Sequence, residues 1–487
     1  MKPSALQRPT RAPARRLAIL ATLGALALTG CAAVGPDYRA PQPDIPAKWT
    51  ATTDNRTLDP AVLAEWWRAF HDPLLNELVT EALAANLDLA TAQAQLRESR
   101  ARRALAGAQL GPSVDVSASG AHNRSSAESG SGKSGELYSA GFDASWEVDV
   151  FGGLRRAVEA AEADLDASAE SLRDTQVSLV AEVARNYVEL RTAQRRLAIA
   201  ESTLASRSET FDLVRWRYQA GLVTELDVAQ AHTDLESTRA GLPPLRTAVS
   251  EARNRLAVLL NRAPGELQAK LSTTAAVPLT DRAAAAGIPA DTLRQRPDVR
   301  AAERRLAAQT ARLGEAEAAR YPSFNLTGSL GLEALSVSAL GNSGAHTYSL
   351  LAAIGAPIFD AGRIRANIEI QDALLEQARL DYQGAVLTAL EDVENALVAL
   401  ANIDERRTRL SQATDSARIT LQLAEHRYAS GLTDFLTVLD SQRTLLDLED
   451  QLANSAGELA GAQIQLYKAM GGGWSPGDEP QVSRNDS

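Results

Sequence analysis

The stretch RYQAGLVTELDV (residues 217–228) recurs as RYASGLTDFLTV (residues 427–438), and this pair decides the fold. In each copy a basic residue and a tyrosine, Tyr218 in the first, precede a glycine, and leucine and valine then follow at helical spacing. Glycine readily takes the left-handed conformation that ends many helices. Each copy therefore predicts a hairpin tip between two helices, with Gly221 and Gly431 at the turns.

The offset of 210 residues between these copies extends over most of the chain without a gap. Identical residues recur at this distance in the pairs Leu83 and Leu293, Asp88 and Asp298, Leu96 and Leu306, Pro112 and Pro322, Tyr138 and Tyr348, Gly152 and Gly362, Arg155 and Arg365, and Val183 and Val393. This period is far longer than that of solenoid repeats. We therefore predict a duplicated domain, with halves at 62–262 and 284–472 joined by a linker at 263–283.

The N-terminus has the layout of a secretory signal. Three arginines between positions 11 and 16 precede an apolar run, Leu17–Leu28, which is too short to span a bilayer. The run ends in LTGC, which resembles the bacterial lipobox, and Cys31 is the only cysteine of the chain. We predict a signal peptide at 1–30 and a lipidated leader at 31–61, acylated at Cys31 as in palmitate-carrying lipoproteins. The alternative is an ordinary signal peptide with a chance cysteine.

Charge and composition exclude several function classes. The net charge is −11, and removal of the signal peptide with its five positive charges would make it −16. There is no basic patch with interleaved aromatic residues, so we expect no nucleic-acid partner. The five histidines are scattered without metal-ligand spacing, and there is no nucleophile motif. We therefore expect no enzyme activity, no catalytic or metal site and no cofactor.

The sequence pattern of each half predicts a helix, a pair of strands, a very long helix, a hairpin tip and a return helix. In the first half apolar residues recur every seven positions from Val158, slip by four at Val183 and continue to Tyr218, and such a slip locally unwinds a coiled coil. At 1.5 Å per residue, a helix over 154–217 would be roughly 95 Å long. Helices of this length must pack side by side. The first return helix contains Pro243-Pro244, which we expect to break or sharply kink it.

Four stretches between the helices alternate apolar and polar residues, as strands with one apolar face do. They are SVDVSASG (113–120), YSAGFDASWEVDV (138–150), SFNLTGSL (323–330) and YSLLAAIGAPIF (348–359). A soluble sheet with one buried face would also alternate in this way. Aromatic residues near the strand ends and Gly/Ser-rich loops favour a transmembrane β-barrel instead.

Four strands cannot close a barrel, because about eight are the fewest that work. The chain must therefore pool its strands with further copies of itself. Two copies would give eight strands around an interior filled by side chains, and three would give twelve strands around a passage.

The order and doubling of these motifs resemble the outer membrane factor family of TolC-like efflux proteins, and specifically its lipoprotein branch. The resemblance rests on LTGC, on the helix starts NLDLATAQAQL and RPDVRAAERRL, on the strand starts GPSVDVS and YPSFNLT, on SWEVDVFGG and APIFDAGR, and on both tips. It implies an α+β membrane protein, a homotrimer with a 12-stranded β-barrel in the outer membrane and an α-helical barrel in the periplasm. The implied partners are a periplasmic adaptor and an inner-membrane pump of the RND type.

The same resemblance implies a gate at the periplasmic tip. Its acidic and constricting residues match Asp227, Leu436 and Asp440, and its tyrosine matches Tyr428. Some members carry a linking arginine where this chain has Thr433, so we do not expect that lock here.

Two other interpretations compete with an efflux channel. A channel for type I protein secretion would use the same tunnel, and the sequence does not separate it from small-molecule efflux. A structural coiled-coil lipoprotein would not need four alternating strands in duplicate. In each case the polar segment 473–487 is predicted to be a tail outside both halves.

Overall fold

The computed structural model describes residues 33–50, 59–280 and 289–475. Long helices dominate this part of the chain, and one small sheet accompanies them. The α-helices are α1 (Pro60–Ala64), α2 (Pro73–Ala85), α3 (Leu87–Ala108), α4 (Gly153–Gln219), α5 (Glu225–Leu259), α6 (Pro289–Gln295), α7 (Pro297–Ala318), α8 (Arg363–Ala429) and α9 (Phe435–Ala469). The strands are β1 (Ser113–Arg124), β2 (Ser134–Glu147), β3 (Ser323–Ala334) and β4 (His346–Gly355), and short 3₁₀ turns lie at Trp66–Phe70, Val337–Ala339 and Ser343–Ala345.

The 210-residue offset recurs in the element boundaries. Helices α3, α4 and α5 have 22, 67 and 35 residues, and α7, α8 and α9 repeat these lengths with every boundary displaced by 210. Strands β1 and β3 have 12 residues each with the same displacement. The two halves therefore share one secondary structure, and the long helices and hairpins predicted from the sequence are present.

Internal contacts divide the chain into two compact units, which cut across the two halves. The described part of unit 1 comprises residues 33–41, 98–167 and 303–381, and the remainder belongs to unit 2.

Unit 1 contains the sheet, whose four strands are antiparallel in the order β1-β2-β3-β4. The N-terminal leader packs along the same unit. The backbone N–H of Val34 donates to the carbonyl of Phe151 over 3.0 Å, and the Arg156 guanidinium donates to the Asp37 carboxylate over 2.8 Å. The leader is thus held by the start of α4.

Unit 2 has an aromatic core near the ends of its helices. The rings of Trp66 and Tyr467 stack with centroids 5.2 Å apart, and both side chains are fully buried. Tyr187 donates to Asp72 over 2.6 Å, and Asp72 also caps α2. Burial, together with this hydrogen bond, raises the pKa of Tyr187 above its ordinary value.

Of the predicted break or sharp kink at Pro243-Pro244, the break is wrong, because α5 runs from Glu225 to Leu259 with both prolines inside it. Each proline removes one intrahelical hydrogen bond. Packing outweighs that loss, since buried residues continue at a spacing of seven across the prolines, at Leu235, Leu242, Val249 and Leu256.

The predicted tail begins too early at residue 473. The Gly473 N–H donates to the Leu63 carbonyl over 3.1 Å. Trp474 is buried, and the guanidinium groups of Arg173 and Arg300 lie 4.8 and 5.4 Å from its ring centroid. These contacts extend the packed part of the chain at least to Trp474.

Candidate functional site

The sheet in unit 1 has one apolar face that is open in the single chain. The strand register places Val116, Phe142, Leu330 and Tyr348 in one row across all four strands. Val116 is 75% and Tyr348 83% exposed. Exposed apolar residues in this continuous arrangement mark a surface that contacts lipid or protein. All four predicted strands are present, although β2 ends at Glu147 and β4 ends at Gly355, before Pro357.

The opposite face is polar and hydrogen-bonded across the strands. Ser117 donates to the Asp143 carboxylate over 2.8 Å. The hydroxyl pairs Ser119 with Ser139 and Ser329 with Ser349 lie 2.9 and 2.8 Å apart. A sheet that is apolar on one side and satisfied by hydroxyls and carboxylates on the other is suited to separate lipid from water.

Both hairpin tips in unit 2 end their first helix with the same backbone motif. At the first tip the N–H of Leu222 donates to the carbonyl of Arg217, and that of Gly221 to Tyr218, both over 2.9 Å. At the second tip Leu432 and Gly431 repeat this pattern. The φ angles of Gly221 and Gly431 are +74° and +71°. This is the Schellman arrangement, in which the left-handed residue is usually glycine.

The two return helices are capped by the same pair of side chains in opposite order. Thr224 caps α5, and its N–H and hydroxyl donate to the Asp227 carboxylate over 2.8 and 2.7 Å. Asp434 caps α9 and accepts from the N–H and hydroxyl of Thr437 over 3.0 and 2.6 Å. These bonds from Thr437 lower the pKa of the Asp434 carboxyl. Within the chain, the predicted gate residue Asp227 thus serves its own helix N-terminus.

Tyr428 lies between the two tips. Its ring is 5.4 Å from that of Phe435, and the Arg217 guanidinium of the first tip lies 4.7 Å from its centroid. The Tyr428 hydroxyl is buried and has no hydrogen-bond partner among the described residues. Tyr218, its counterpart in the first half, is exposed. The second tyrosine therefore packs into the tip, whereas the first points to the surface.

Leu436 and Asp440 lie on the exposed side of α9. Leu436 is 44% exposed, and Asp440 accepts a hydrogen bond of 3.4 Å from Arg443. The other side of the same helix is buried with Phe435, Val438 and Leu439 in an apolar cluster that includes Val214, Ala231 and Ala424. The structure brings Leu436 and Asp440 to one surface of α9, whereas Asp227 belongs to the cap of α5.

A buried charge network links the two hairpins, and sequence reasoning missed it. The Arg443 guanidinium donates to one Asp234 oxygen through Nε over 3.0 Å and Nη2 over 2.6 Å. Arg207 donates to the Asp234 carbonyl over 3.0 Å and to the Thr238 hydroxyl. Burial lowers the pKa of the Arg207 guanidinium. The sequence does not single out Arg207, Asp234 or Arg443, because the helices that carry them contain many other charged residues.

The predicted acylation of Cys31 has no structural test, because Cys31 lies outside the described residues.

Among the residues that the structure describes, no group of three or more histidine, cysteine, aspartate or glutamate side chains is placed to hold a metal ion. No helix in this part of the chain is both long and apolar enough to cross a membrane.

Comparison with known proteins assigns the class. Residues 78–262 and 288–472 match the family described as outer membrane efflux protein, and these two stretches make up more than half of the chain. The chain therefore belongs to the outer membrane efflux protein family.

Curated relatives cover nearly the whole chain. Nodulation protein T of Rhizobium leguminosarum bv. trifolii is 34% identical over 460 residues, which are 93% of this chain and 96% of that protein. The pyoverdine export outer membrane protein OpmQ of Pseudomonas putida is 34% identical over 457 residues, or 92% of this chain and 96% of OpmQ.

Solved structures agree with this assignment. The outer-membrane channel OprN superimposes with a TM-score of 0.86 at 38% identity, covering 91% of this chain and 100% of OprN. The open state of the MtrE outer membrane channel of Neisseria gonorrhoeae gives 0.81 at 29% identity, covering 91% and 99%. The predicted family, fold class, efflux-channel function and outer-membrane location are confirmed.

Proposed function

We propose that three copies of this chain form a closed tunnel that carries small molecules across the outer membrane. The tunnel receives them from an inner-membrane pump, of the RND type, through a periplasmic adaptor protein. The chain itself is a passive conduit and carries out no catalysis. The observation that carries this proposal is the four-stranded sheet with an open apolar face, a hydrogen-bonded polar face and two edge strands that no other described strand pairs with.

The number of copies follows from the need to close the β-barrel. In lipid the N–H and C=O groups of an open edge would have no partner, so β1 and β4 must pair with strands of other copies. Eight strands from two copies would leave an interior that side chains fill, whereas twelve from three copies leave a passage. Transport therefore favours the trimer.

The names of the relatives support small-molecule cargo. OpmQ is named for pyoverdine export, and further relatives from Pseudomonas putida are named for solvent, toluene and antibiotic efflux. The relative SrpC, for example, covers 92% of this chain at 32% identity. These names favour efflux of small organic molecules over protein secretion.

We place the gate at the second hairpin tip. Leu436 and Asp440 share the exposed side of α9, and three copies would bring them into rings. Rings of like charge repel each other, so Leu436 and the Tyr428 hydroxyl, which has no partner among the described residues, are the groups that hold the mouth shut. The ring of Asp440 residues, together with Asp227 of the first tip, would favour cations.

We also propose that Cys31 carries acyl chains that anchor the mature N-terminus in the outer membrane. The leader packs along the start of α4, which supports a fixed N-terminal segment on this unit. Mass spectrometry of the mature N-terminus checks this part, and an unmodified Cys31 thiol would contradict it.

The assembly is tested by native mass spectrometry in detergent together with planar-bilayer recordings of the same preparation. We expect a mass of three chains and discrete conducting pores. A monomer or dimer as the conducting species would contradict the proposal. Affinity capture from the native envelope should recover an adaptor and a pump.

A further inference from the structure

Unit 2 contains a large cavity that the proposed gate does not use. It lies between α4, α8, α9 and the linker segment 274–279, and its volume is about 1230 Å³. We call this cavity the linker groove. The described residues that line it include none of either tip stretch, 217–228 or 427–438. Pockets for small organic molecules measure roughly 300–1,000 Å³, so the linker groove has room for a longer ligand.

The charge of the linker groove is opposite to that of the chain, whose net charge is −11. Among the described residues that line the groove, three are arginines (Arg195, Arg407 and Arg418) and one, Glu449, is acidic. Arg418 is already paired, with Glu449 over 2.8 Å and with Asp415 over 3.1 Å. Arg195 and Arg407 form no ion pair within the part of the chain that the structure describes. Two guanidinium groups are therefore available to an anionic ligand.

The repeat shows that helix packing does not require these two arginines. Leu197 stands at the position of the first half that is equivalent to Arg407, and Leu400 lies seven residues before Arg407 on α8. Leucine at such a position packs between helices without a charge to solvate. The counterpart of Arg195 in the second half is Glu405, which has the opposite charge. The pair of free arginines is thus specific to the linker groove.

The linker segment is held in place at both of its ends. On one side the Arg191 guanidinium donates to the carbonyl of Thr273 over 2.5 Å. On the other, the Gln463 amide donates to the carbonyl of Thr280 over 3.0 Å and accepts from its N–H over 3.3 Å. The residues between these two anchors are therefore presented to the groove as a fixed edge.

The backbone of this edge has no partner within the described chain. Residues 274–279 lie outside every described helix and strand, and they form no hydrogen bond with a described residue. Five of the six line the linker groove. Pro278 has no N–H, and each of the other five residues offers one donor and one acceptor. An irregular segment of this kind is a template for a second extended chain.

We propose that the linker groove binds an extended acidic peptide segment of another periplasmic protein. The peptide adds as a strand beside residues 274–279, as peptides add to exposed sheet edges. Its carboxylates pair with Arg195 and Arg407, because a planar guanidinium matches a carboxylate through two parallel hydrogen bonds. The partner is periplasmic because the long helices of outer-membrane efflux channels extend into the periplasm. This inference goes beyond the proposed function and does not depend on the gate.

The rest of the lining suits a polar chain better than an apolar one. Side chains with hydrogen-bonding groups, Ser202, Thr203 and Ser411 among them, surround the arginines. Ala453 and Ala456 of α9 are small enough to let a peptide backbone approach closely. Binding should therefore depend on charge and on main-chain hydrogen bonds, and it should weaken as the salt concentration rises.

A synthetic peptide tests the proposal on the purified full-length protein in detergent. The probe is a fluorescent peptide of ~8 residues with alternating glutamate and threonine, long enough to span the linker segment at about 3.3 Å per residue. We expect fluorescence anisotropy to show binding, and R195Q and R407L each to weaken it about fivefold. R409Q is the matched control and should bind like the parent, because Arg409 is exposed and does not line the groove.

Changes in the probe test the strand pairing without altering the protein. Alternate N–H groups of a strand point to opposite edges. N-methylation of either the glutamate amides or the threonine amides keeps every carboxylate and removes the donors of one edge. One of the two methylated peptides should bind about tenfold more weakly, and the other like the parent peptide. Equal affinity of both methylated peptides and the parent overturns the pairing with the linker.

The remaining outcomes separate this site from other occupants of the groove. Unchanged affinity in both R195Q and R407L, or no binding of the glutamate peptide to a preparation with trimer mass, overturns the proposal. Displacement of the peptide by glutarate at equal carboxylate concentration shows a site for small anions and also overturns it. The segment 476–487 contains three acidic residues and one arginine. If its deletion raises peptide affinity about tenfold, the groove serves this chain's own C-terminus, and the external partner is wrong.

Failure of the proposed function has a different signature. A monomeric or dimeric mass contradicts the proposed trimer, whereas the effects of R195Q, R407L and N-methylation on peptide affinity are still measured on that preparation. A trimer with normal conductance that shows none of these effects overturns the linker-groove site alone.

Discussion

At the first hairpin tip Thr224 caps the return helix and Asp227 accepts from it, whereas at the second tip Asp434 is the cap and Thr437 the donor. The glycine turns that precede these caps have the same hydrogen bonds and nearly the same φ. The duplicated backbone therefore tolerates an exchange of the capping residues, as long as one hydroxyl and one carboxylate are present.

Several side chains beyond the caps are not duplicated. Phe435 and Leu439 are buried at the second tip, where the first tip has Glu225 and Ala229. At the positions of Asp440 and Arg443 the first half has uncharged residues, Gln230 and Thr233. The backbone of the tips is thus shared, whereas the large buried side chains and the Asp440–Arg443 pair belong to the second one. Substitutions at matched positions of the two tips can separate the contribution of the shared backbone from that of the side chains that differ.

The largest effect is expected at the network that joins the two hairpins. Asp234→Ala removes the buried carboxylate that Arg443 contacts and leaves the buried Arg207 without a nearby negative charge. Because the Arg443 side chain is half exposed while Asp234 is buried, loss of this ion pair should cost about 1.4 kcal/mol or more, between the values for exposed and for buried pairs. Native-state hydrogen exchange at the amides of Val438 and Leu439 should accelerate about tenfold.

The counterpart of Asp234 in the second half is Thr444, which is exposed and whose hydroxyl donates to the Asp440 carbonyl of its own helix. Thr444→Ala is therefore the matched control and should leave exchange at Val438 and Leu439 unchanged. Equal acceleration in both variants would show that the network does not hold the hairpins together.

An intermediate and equal effect is expected at the two turns. Gly221→Ala and Gly431→Ala each force a side chain into the left-handed region, although no atom within 4 Å would touch it. Each should destabilise its tip by about 1 kcal/mol, measured by hydrogen exchange of the turn amides. Gly241→Ala, inside α5 and equally free of neighbours, should instead stabilise by up to about 1 kcal/mol. Unequal costs at the two turns would contradict the shared backbone.

The sequence predicted much of this architecture because its signals are local and repeated. Each signal can be read from a few residues: glycine at both tips, heptad spacing in the helices and alternation in the strands. The 210-residue offset repeats each signal in the second half, which strengthens the prediction. The contacts that escaped prediction are long-range. Asp234 and Arg443 are 209 residues apart, and nothing near either residue specifies the other.

Packing also overrode two local rules. The prolines at 243 and 244 stay inside α5 because buried residues on both sides fix the helix. Trp474 follows three glycines that suggest a free tail, yet two arginines hold its ring. Local preference cannot reveal such a neighbour, since it comes from a distant part of the chain.

The smallest effect is expected on acidification. The bonds from Thr437 lower the pKa of Asp434, so the cap contributes stability above the unfolded-state pKa and loses it as pH falls through the folded-state pKa. Below about pH 4, the backbone amides at the start of α9 should exchange their hydrogens faster, after correction for the pH dependence of the intrinsic exchange rates. Asp434→Asn keeps a capping oxygen without a titrating group. If this variant shows the same pH dependence as the parent, Asp434 is not the responsible group.

We propose that the second tip holds the gate of this efflux channel, and resting conductance in planar bilayers is the property that such a gate controls. Leu436→Ala and Tyr428→Phe should raise resting conductance, whereas the matched first-tip variants Leu226→Ala and Tyr218→Phe should not. Asp440→Asn should lower cation selectivity while the trimer still assembles, because the ring charge attracts cations. If the three second-tip variants conduct and select like the parent, the gate does not lie at this tip.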